Sequence, residues 1–232
     1  VRFNWVNEMA GRRNTKQKIL DTAEALFAES GFNETSLREI TTRAGVNLAS
    51  VNYHYGDKRN LVRAVLGRYL EAFMPALEVE LQRLLARDEI EMRDVFLSVK
   101  QPLLSLNGLR ANGAAIFTQL LGRAYSDVQG HLRWFIVNQY QTVLDLFTAA
   151  IRRANPALDP ETLFWRLHFT LGACVFVMAS SKALSEIAEN DYSTVTNTED
   201  LLDRLVPFLA AGVGAEVDLE LTEIHRRLAN HQ

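Results

Sequence analysis

The stretch TSLREITTRAGVNLASVNYHYGDK, residues 35–58, holds two short helical patterns, each closed by a glycine. Ser36 and Glu39 have the spacing of a capping box, in which hydroxyl and carboxylate satisfy free amides at a helix start. Leu37, Ile40 and Ala44 then share a face, and Gly45 can take the left-handed conformation that ends the helix. Asn47 is a good N-cap for the next helix, and Val46 can pack on Val51 as a hydrophobic staple. Val51 and Tyr55 lie one turn apart and are expected to face inward, leaving Leu48, Ala49, Ser50, Asn52 and Tyr53 on the outer and leading surface. Gly56 closes this helix. Asp57 can cap a further one, with Leu61, Val65 and Tyr69 on its apolar side, expected to break or kink at Pro75.

Upstream, Ile19, Ala23, Leu26 and Phe27 mark one face of a helix over residues 15–30, ended by Gly31 and preceded by a polar arm to about residue 14. Downstream, helices are expected near residues 76–87, 90–106, 113–126, 130–153, 160–189 and 198–215. The breaks rest on Asp88, Asn107-Gly108, Asn112-Gly113, Gly130, Asn155-Pro156, Asp159-Pro160 and the polar run over residues 190–198. No stretch alternates with period two between turn signals. The expected fold is all-α: a three-helix N-terminal domain over residues 1–60 and a larger helical domain over residues 61–232.

With 48% apolar and 23% charged residues, the composition is that of a globular protein and not of a disordered chain. Cys174 is the only cysteine, so no internal disulfide can form, and neither a metal site nor a cofactor is expected. It sits in an apolar run and is expected in the core. The N-terminal residues lack the pattern of a secretory signal, which predicts a cytoplasmic protein. The longest apolar stretch, residues 171–179, is shorter than the roughly 20 residues of a membrane span, so it is expected in a core. Net charge is −3, but unevenly spread: residues 1–60 carry nine Lys or Arg against seven Asp or Glu, the remainder sixteen against twenty-one. A polyanionic partner would have to meet a small local face of the N-terminal part.

Two short helices joined by a glycine-containing turn form a helix-turn-helix, whose second helix can enter the major groove of DNA. A helix presented to base edges needs small or polar leading residues, and Ala49, Ser50 and Asn52 suit that position. Tyr53 and His54 can hydrogen-bond phosphates, Lys58 can add a point charge, and Ser36 offers a hydroxyl with a helix N-terminus behind it. The alternative is a plain three-helix bundle with Tyr53 and Tyr55 packed in its core. Gly31-Phe32, Thr35-Ser36-Leu-Arg-Glu-Ile40, Ala44-Gly45-Val46, Ala49-Ser50-Val51, Tyr53-His54-Tyr55 and Lys58 closely resemble the DNA-binding domain of the TetR family. The resemblance implies base and phosphate contacts for Leu48, Ala49, Ser50, Asn52, Tyr53 and His54, with Ser36 and Lys58 on phosphates. Asn52 stands where many members carry Tyr.

The later part resembles the PsrA-type fatty-acid-responsive regulators in Leu120-Leu-Gly-Arg-Ala124, Gln129-Gly-His-Leu-Arg133, Leu163-Phe-Trp-Arg-Leu-His-Phe169 and Val206-Pro-Phe-Leu-Ala-Ala-Gly212. This resemblance implies a homodimer on a near-palindromic double-stranded operator, the last two long helices forming the dimer interface. It also implies a repressor released by a long-chain fatty acid or acyl-CoA. Arg123 or Arg166 could meet an acyl carboxylate in an aromatic-lined tunnel, with Phe117, Gln119, Trp165 and Phe169 around it. The alternative is that either arginine sits in an internal salt bridge, for instance to Glu161 or Asp145, since buried charges are normally paired within the protein. Trp134, Tyr140 and Phe147 are expected in the core. Two rivals stay open: a ligand-independent DNA-binding adaptor working through a protein partner, and, more remotely, an acyl-processing enzyme. The enzyme has little support, since there is no G-x-S-x-G elbow, no zincin helix and no Cys-His pairing among five scattered His.

Overall fold

Ile19, Ala23, Leu26 and Phe27 are all buried, and together they form the apolar face of α1 (Arg2–Ser30) around which the N-terminal helices pack. The computed structural model describes residues 2–125 and 131–216, with side chains for residues 14–124 and 132–216. Among the described residues every regular element is a helix. After α1 come α2 (Leu37–Ala44), α3 (Leu48–Tyr55), α4 (Lys58–Leu85) and α5 (Met92–Ser105), then a 3-10 turn over Leu106–Gly108. They are followed by α6 (Gly113–Tyr125), α7 (His131–Ala154), α8 (Pro160–Ala179), α9 (Ser181–Tyr192) and α10 (Thr198–Gly214). The break expected at Gly130 lies outside the described residues.

Helices α1, α2 and α3 pack on one another, and α4 carries the chain onward, touching α1 and α3 as well as α5, α6 and α7. On the far side α6 packs on α8, and α10 packs on α5 and α8. One apolar core runs through both halves, from Ile19 to Val213. At its centre Tyr69 stacks on Phe117, ring centroids 5.8 Å apart, and each fully buried side chain of this size contributes about 2 kcal/mol.

Four expectations give way to the structure. The polar arm is helical, because α1 begins at Arg2; no proline interrupts residues 2–30, so nothing stops the helix extending toward the start. Pro75 does not end α4. Both Pro75 and Glu71, whose carbonyl loses its partner, are exposed, so water can replace the missing N–H while Phe73, Met74, Leu77 and Leu81 stay buried. The helix expected over residues 160–189 is divided at Ser180, whose backbone, at φ −99 and ψ 9, leaves the helical region between α8 and α9. Finally, the apolar stretch 171–179 lies in α8, which is long and apolar enough to cross a membrane yet has only about a tenth of its residues buried. Leu163 and Met178 are buried, and Leu167, Ala173, Cys174 and Val177 pack half-buried against the core, while Phe164, Trp165, Phe169 and Phe176 stand exposed.

Candidate nucleic-acid interface and effector cleft

Local hydrogen bonds set the angle between α2 and α3. The Ser36 hydroxyl accepts the Glu39 amide at 3.1 Å and the Asn47 side chain accepts the Ser50 amide at 2.8 Å. Between them Gly45, at φ +65, makes the turn that a residue with a Cβ adopts only under strain. Val51 and Tyr55 point inward, and the Tyr55 hydroxyl donates to the Lys16 carbonyl at 2.9 Å, pinning α3 to α1. Burial pushes the Tyr55 phenol up to about 12, so it remains a donor across the physiological range. The outward face of α3 then carries Leu48, Ala49, Asn52 and Tyr53, the last 70% exposed. Ser50 is half-buried, its hydroxyl donating to Asn47 at 2.9 Å. His54 stands edge-on to Tyr53 at 5.0 Å, and Lys58 Nζ donates to the Asn33 carbonyl at 3.3 Å. With Tyr53 outside, the plain bundle with both tyrosines in its core is excluded. No carboxylate lies on α3, so nothing on this helix repels a phosphate backbone.

A cleft of about 820 Å³ opens where the end of α1 meets α6 and α8. Residues 30–34 form one wall, Gln119 and Arg123 of α6 a second, and His168, Leu171, Val175 and Phe176 of α8 a third. Of the six effector candidates, Gln119 and Arg123 line this cleft. Phe117 is buried in the core between Tyr69 and Phe73. Arg166 donates to the carbonyls of Val213, Ala215 and Glu216 at 2.8, 2.7 and 3.1 Å, capping the C-terminal end of α10. Its partners are backbone carbonyls instead of Glu161 or Asp145. Trp165 and Phe169 stack on each other at 6.2 Å on the outside of α8. Gln129 of the quoted pattern lies outside the described residues.

Residues 19–65 match the sequence model described as "Bacterial regulatory proteins, tetR family", and residues 98–212 match "Tetracyclin repressor-like, C-terminal domain". The chain belongs to the TetR family. Relatives are matched over shorter stretches. The probable HTH-type transcriptional regulator YttP of Bacillus subtilis is 37% identical over 65 residues, 28% of this chain and 31% of that protein. The HTH-type transcriptional repressor BepR of Brucella suis is 37% identical over 68 residues, 29% of this chain and 31% of that protein. The repressor KstR2 of Mycobacterium tuberculosis is 30% identical over 105 residues, 45% of each chain. This chain thus spans between about a third and a half of the length of these relatives. Among solved structures, SmeT, the repressor of the Stenotrophomonas maltophilia multidrug efflux pump SmeDEF, aligns with a TM-score of 0.49 at 20% identity, covering 80% of this chain and 97% of that one. The family and these relatives are transcriptional regulators and not enzymes.

In this TetR-family chain the two halves are joined by a charge cluster that no sequence pattern announced. Glu24 of α1 is 0% exposed and pairs with Arg68 of α4 at 2.7 Å and with Arg110, just ahead of α6. Asp21 adds a 2.8 Å contact to Arg68. Burial, reinforced by the Glu24 charge, pushes the adjacent Tyr69 phenol well above its usual range. Two core expectations also change. Trp134 is 64% exposed on α7, uncovered by any of the described helices. Cys174 is half-buried on α8, and burial pushes its thiol up to about 11. Since the thiolate is the reactive form, labelling by a disulfide reagent at pH 8 is expected to run about a hundredfold slower than for a free thiol. Labelling at the free-thiol rate would show that water reaches the sulfur freely.

Proposed function

We propose that this protein is a DNA-binding transcriptional repressor which, as a homodimer, reads a near-palindromic operator with α3 and is released by a small hydrophobic effector with an acidic head. A long-chain fatty acid or acyl-CoA is the effector class we favour. Such a regulator works in the cytoplasm, where the DNA is. The observation that carries the reading is the outward face of α3: small, polar and aromatic side chains, free of carboxylates, on a helix pinned from beneath by Val51 and Tyr55. In this reading Asn52 and Ala49 meet base edges, and Tyr53, His54, Lys58 and Ser36 meet phosphates.

Dimerisation has its own support. The α8 stripe of Trp165, Phe169 and Phe176 is exposed, Gly172 among them meets open space, and Phe208 of the neighbouring α10 is 67% exposed. A contiguous apolar face of this kind on a regulator marks a protein interface, and a second copy brings two α3 helices to half-sites about 34 Å apart. The cleft supports an effector: Phe32, Leu171, Val175 and Phe176 offer apolar walls, and Gln119, Arg123, Glu34 and His168 are among its polar groups.

Fluorescence anisotropy of labelled DNA from upstream of the protein's own gene, with oleate or oleoyl-CoA added afterwards, tests the whole reading. Sequence-selective binding reversed by micromolar lipid is expected. Selective binding indifferent to lipid would favour the adaptor, and no preference over unrelated DNA would remove the regulator. In the same assay Asn52→Ala is expected to cost about 1–3 kcal/mol on the operator and relax its sequence preference, while Tyr53→Phe weakens all DNA about equally. An Asn52→Ala variant with unchanged selectivity would take Asn52 out of base recognition.

A further inference from the structure

The effector cleft does not lie wholly within the helical domain. One of its walls is the segment 30–34, which follows α1 and leads straight into the start of α2. Gly31 leaves the helix at φ +90, the buried Thr35 hydroxyl donates to the Leu26 and Gly31 carbonyls at 3.2 and 2.8 Å, and Ser36 then caps α2. This segment is the turn between α1 and the helix-turn-helix, and a molecule in the cleft touches it directly.

Arg123 already spans the gap. From α6 its guanidinium donates to the Glu29 carbonyl in the last turn of α1, at 3.3 Å. It also lies flat against Gly31: a Cβ added there would come within 2.9 Å of Nη1 and 3.2 Å of Cδ. The Glu29 carboxylate is turned elsewhere, held by Arg43 at 3.0 and 3.3 Å, so the carbonyl alone faces Arg123. A neutral carbonyl accepting one long bond is a weak partner for a guanidinium beside a carboxylate or phosphate, which accepts a short bidentate pair. Among the described lining residues the other fixed charge is Glu34, three residues beyond Gly31, and it disfavours an anion near itself. The head group of an anionic ligand is therefore directed to Arg123.

We propose that Arg123 is the latch of the effector cleft: it holds the end of α1 through the Glu29 carbonyl, and an amphipathic ligand with a carboxylate or phosphate head releases α1 by taking the guanidinium for itself. This deepens the effector reading above and rests on it for the identity of the ligand, though not for the existence of the latch. The consequence is direct. The ligand does not need to act through a distant chain of packed helices, because its head group and the end of α1 compete for one side chain.

Hydrogen–deuterium exchange over residues 27–35, in the full chain, tests the latch without requiring DNA. Arg123→Ala is expected to speed exchange in this segment on the order of tenfold, the loss of one charge-assisted hydrogen bond, while α10 amides keep their wild-type rates. Arg123→Lys, with the charge but not the fork, is expected to fall between. Oleate added to the wild type is expected to reproduce the Arg123→Ala rates, and a trimethylammonium surfactant with a comparable chain is expected to leave them unchanged. Wild-type rates over residues 27–35 in Arg123→Ala overturn the latch, whatever oleate does. So does acceleration spread equally over α10, which would make Arg123 merely a contributor to overall stability. If Arg123→Ala opens the segment but oleate does not, the latch stands and the fatty-acid reading fails.

Discussion

Replacing Glu24 by Gln is expected to lower the melting temperature by about 6–12 °C, the equivalent of roughly 3 kcal/mol in a chain of this size. The carboxylate is fully buried and is met by Arg68 at 2.7 Å and by Arg110. Glutamine keeps the shape and removes the charge, which leaves two guanidinium groups facing each other beside a neutral amide. Removing one partner of a buried ion pair costs about 3–5 kcal/mol; the lower end applies because Arg68 and Arg110 reach solvent with 19% and 39% of their side-chain surface. Asp21 remains beside Arg68 at 2.8 Å and also reduces the loss. The cluster ties α1 both to α4 and to the segment ahead of α6, so the variant is also expected to weaken cooperativity between the two halves in a urea titration. A shift under 2 °C with an unchanged unfolding slope would show that solvent screens the cluster and that apolar packing alone holds α1 in place.

The second large effect concerns the outer face of α8. Phe169→Glu is expected to convert the proposed dimer to monomer in sedimentation equilibrium, weakening association by about 4 kcal/mol or more, a factor of about a thousand. Phe169 is 68% exposed in the single chain, stacked on Trp165 and in line with Phe176, so a second copy would cover it. In an interface with twofold symmetry the substitution enters twice, placing two like charges in an apolar contact. Because the side chain is exposed before association, the fold itself is expected to survive with helix content unchanged. Operator binding falls with the dimer, since a single α3 loses the second half-site. A Phe169→Glu protein that remains dimeric would place the interface elsewhere and leave this face for a different partner.

Much of the helix-turn-helix was legible before any coordinates, and the reason is range. Ser36 to Glu39, Asn47 to Ser50 and Asp57 to Asn60 are each three residues apart, so each cap is a bond between near neighbours in the chain. The inward pair Val51 and Tyr55 follows from the same helical period. Partners for the arginines were not legible. Arg166 was weighed against carboxylates, but it caps α10 across 47 to 50 residues, because the free carbonyls at a helix end are invisible until that end has a position. Phe117 looked like a pocket residue from its neighbours in sequence, yet Tyr69 and Phe73 enclose it once α4 and α6 meet.

By itself, the sequence determined that the chain is helical, where most helices start and stop, and which residues of α3 face away from its core. Those properties depend on backbone conformation and on contacts within one turn, where residue type and spacing suffice. Tertiary structure alone decided that Glu24 meets Arg110 across 86 residues, that Arg123 reaches the end of α1, and that Trp165, Phe169 and Phe176 of α8 stand exposed. A side chain's partner across such a distance depends on how whole helices pack, and packing is set by the summed shape and burial of many residues. No local pattern encodes that sum.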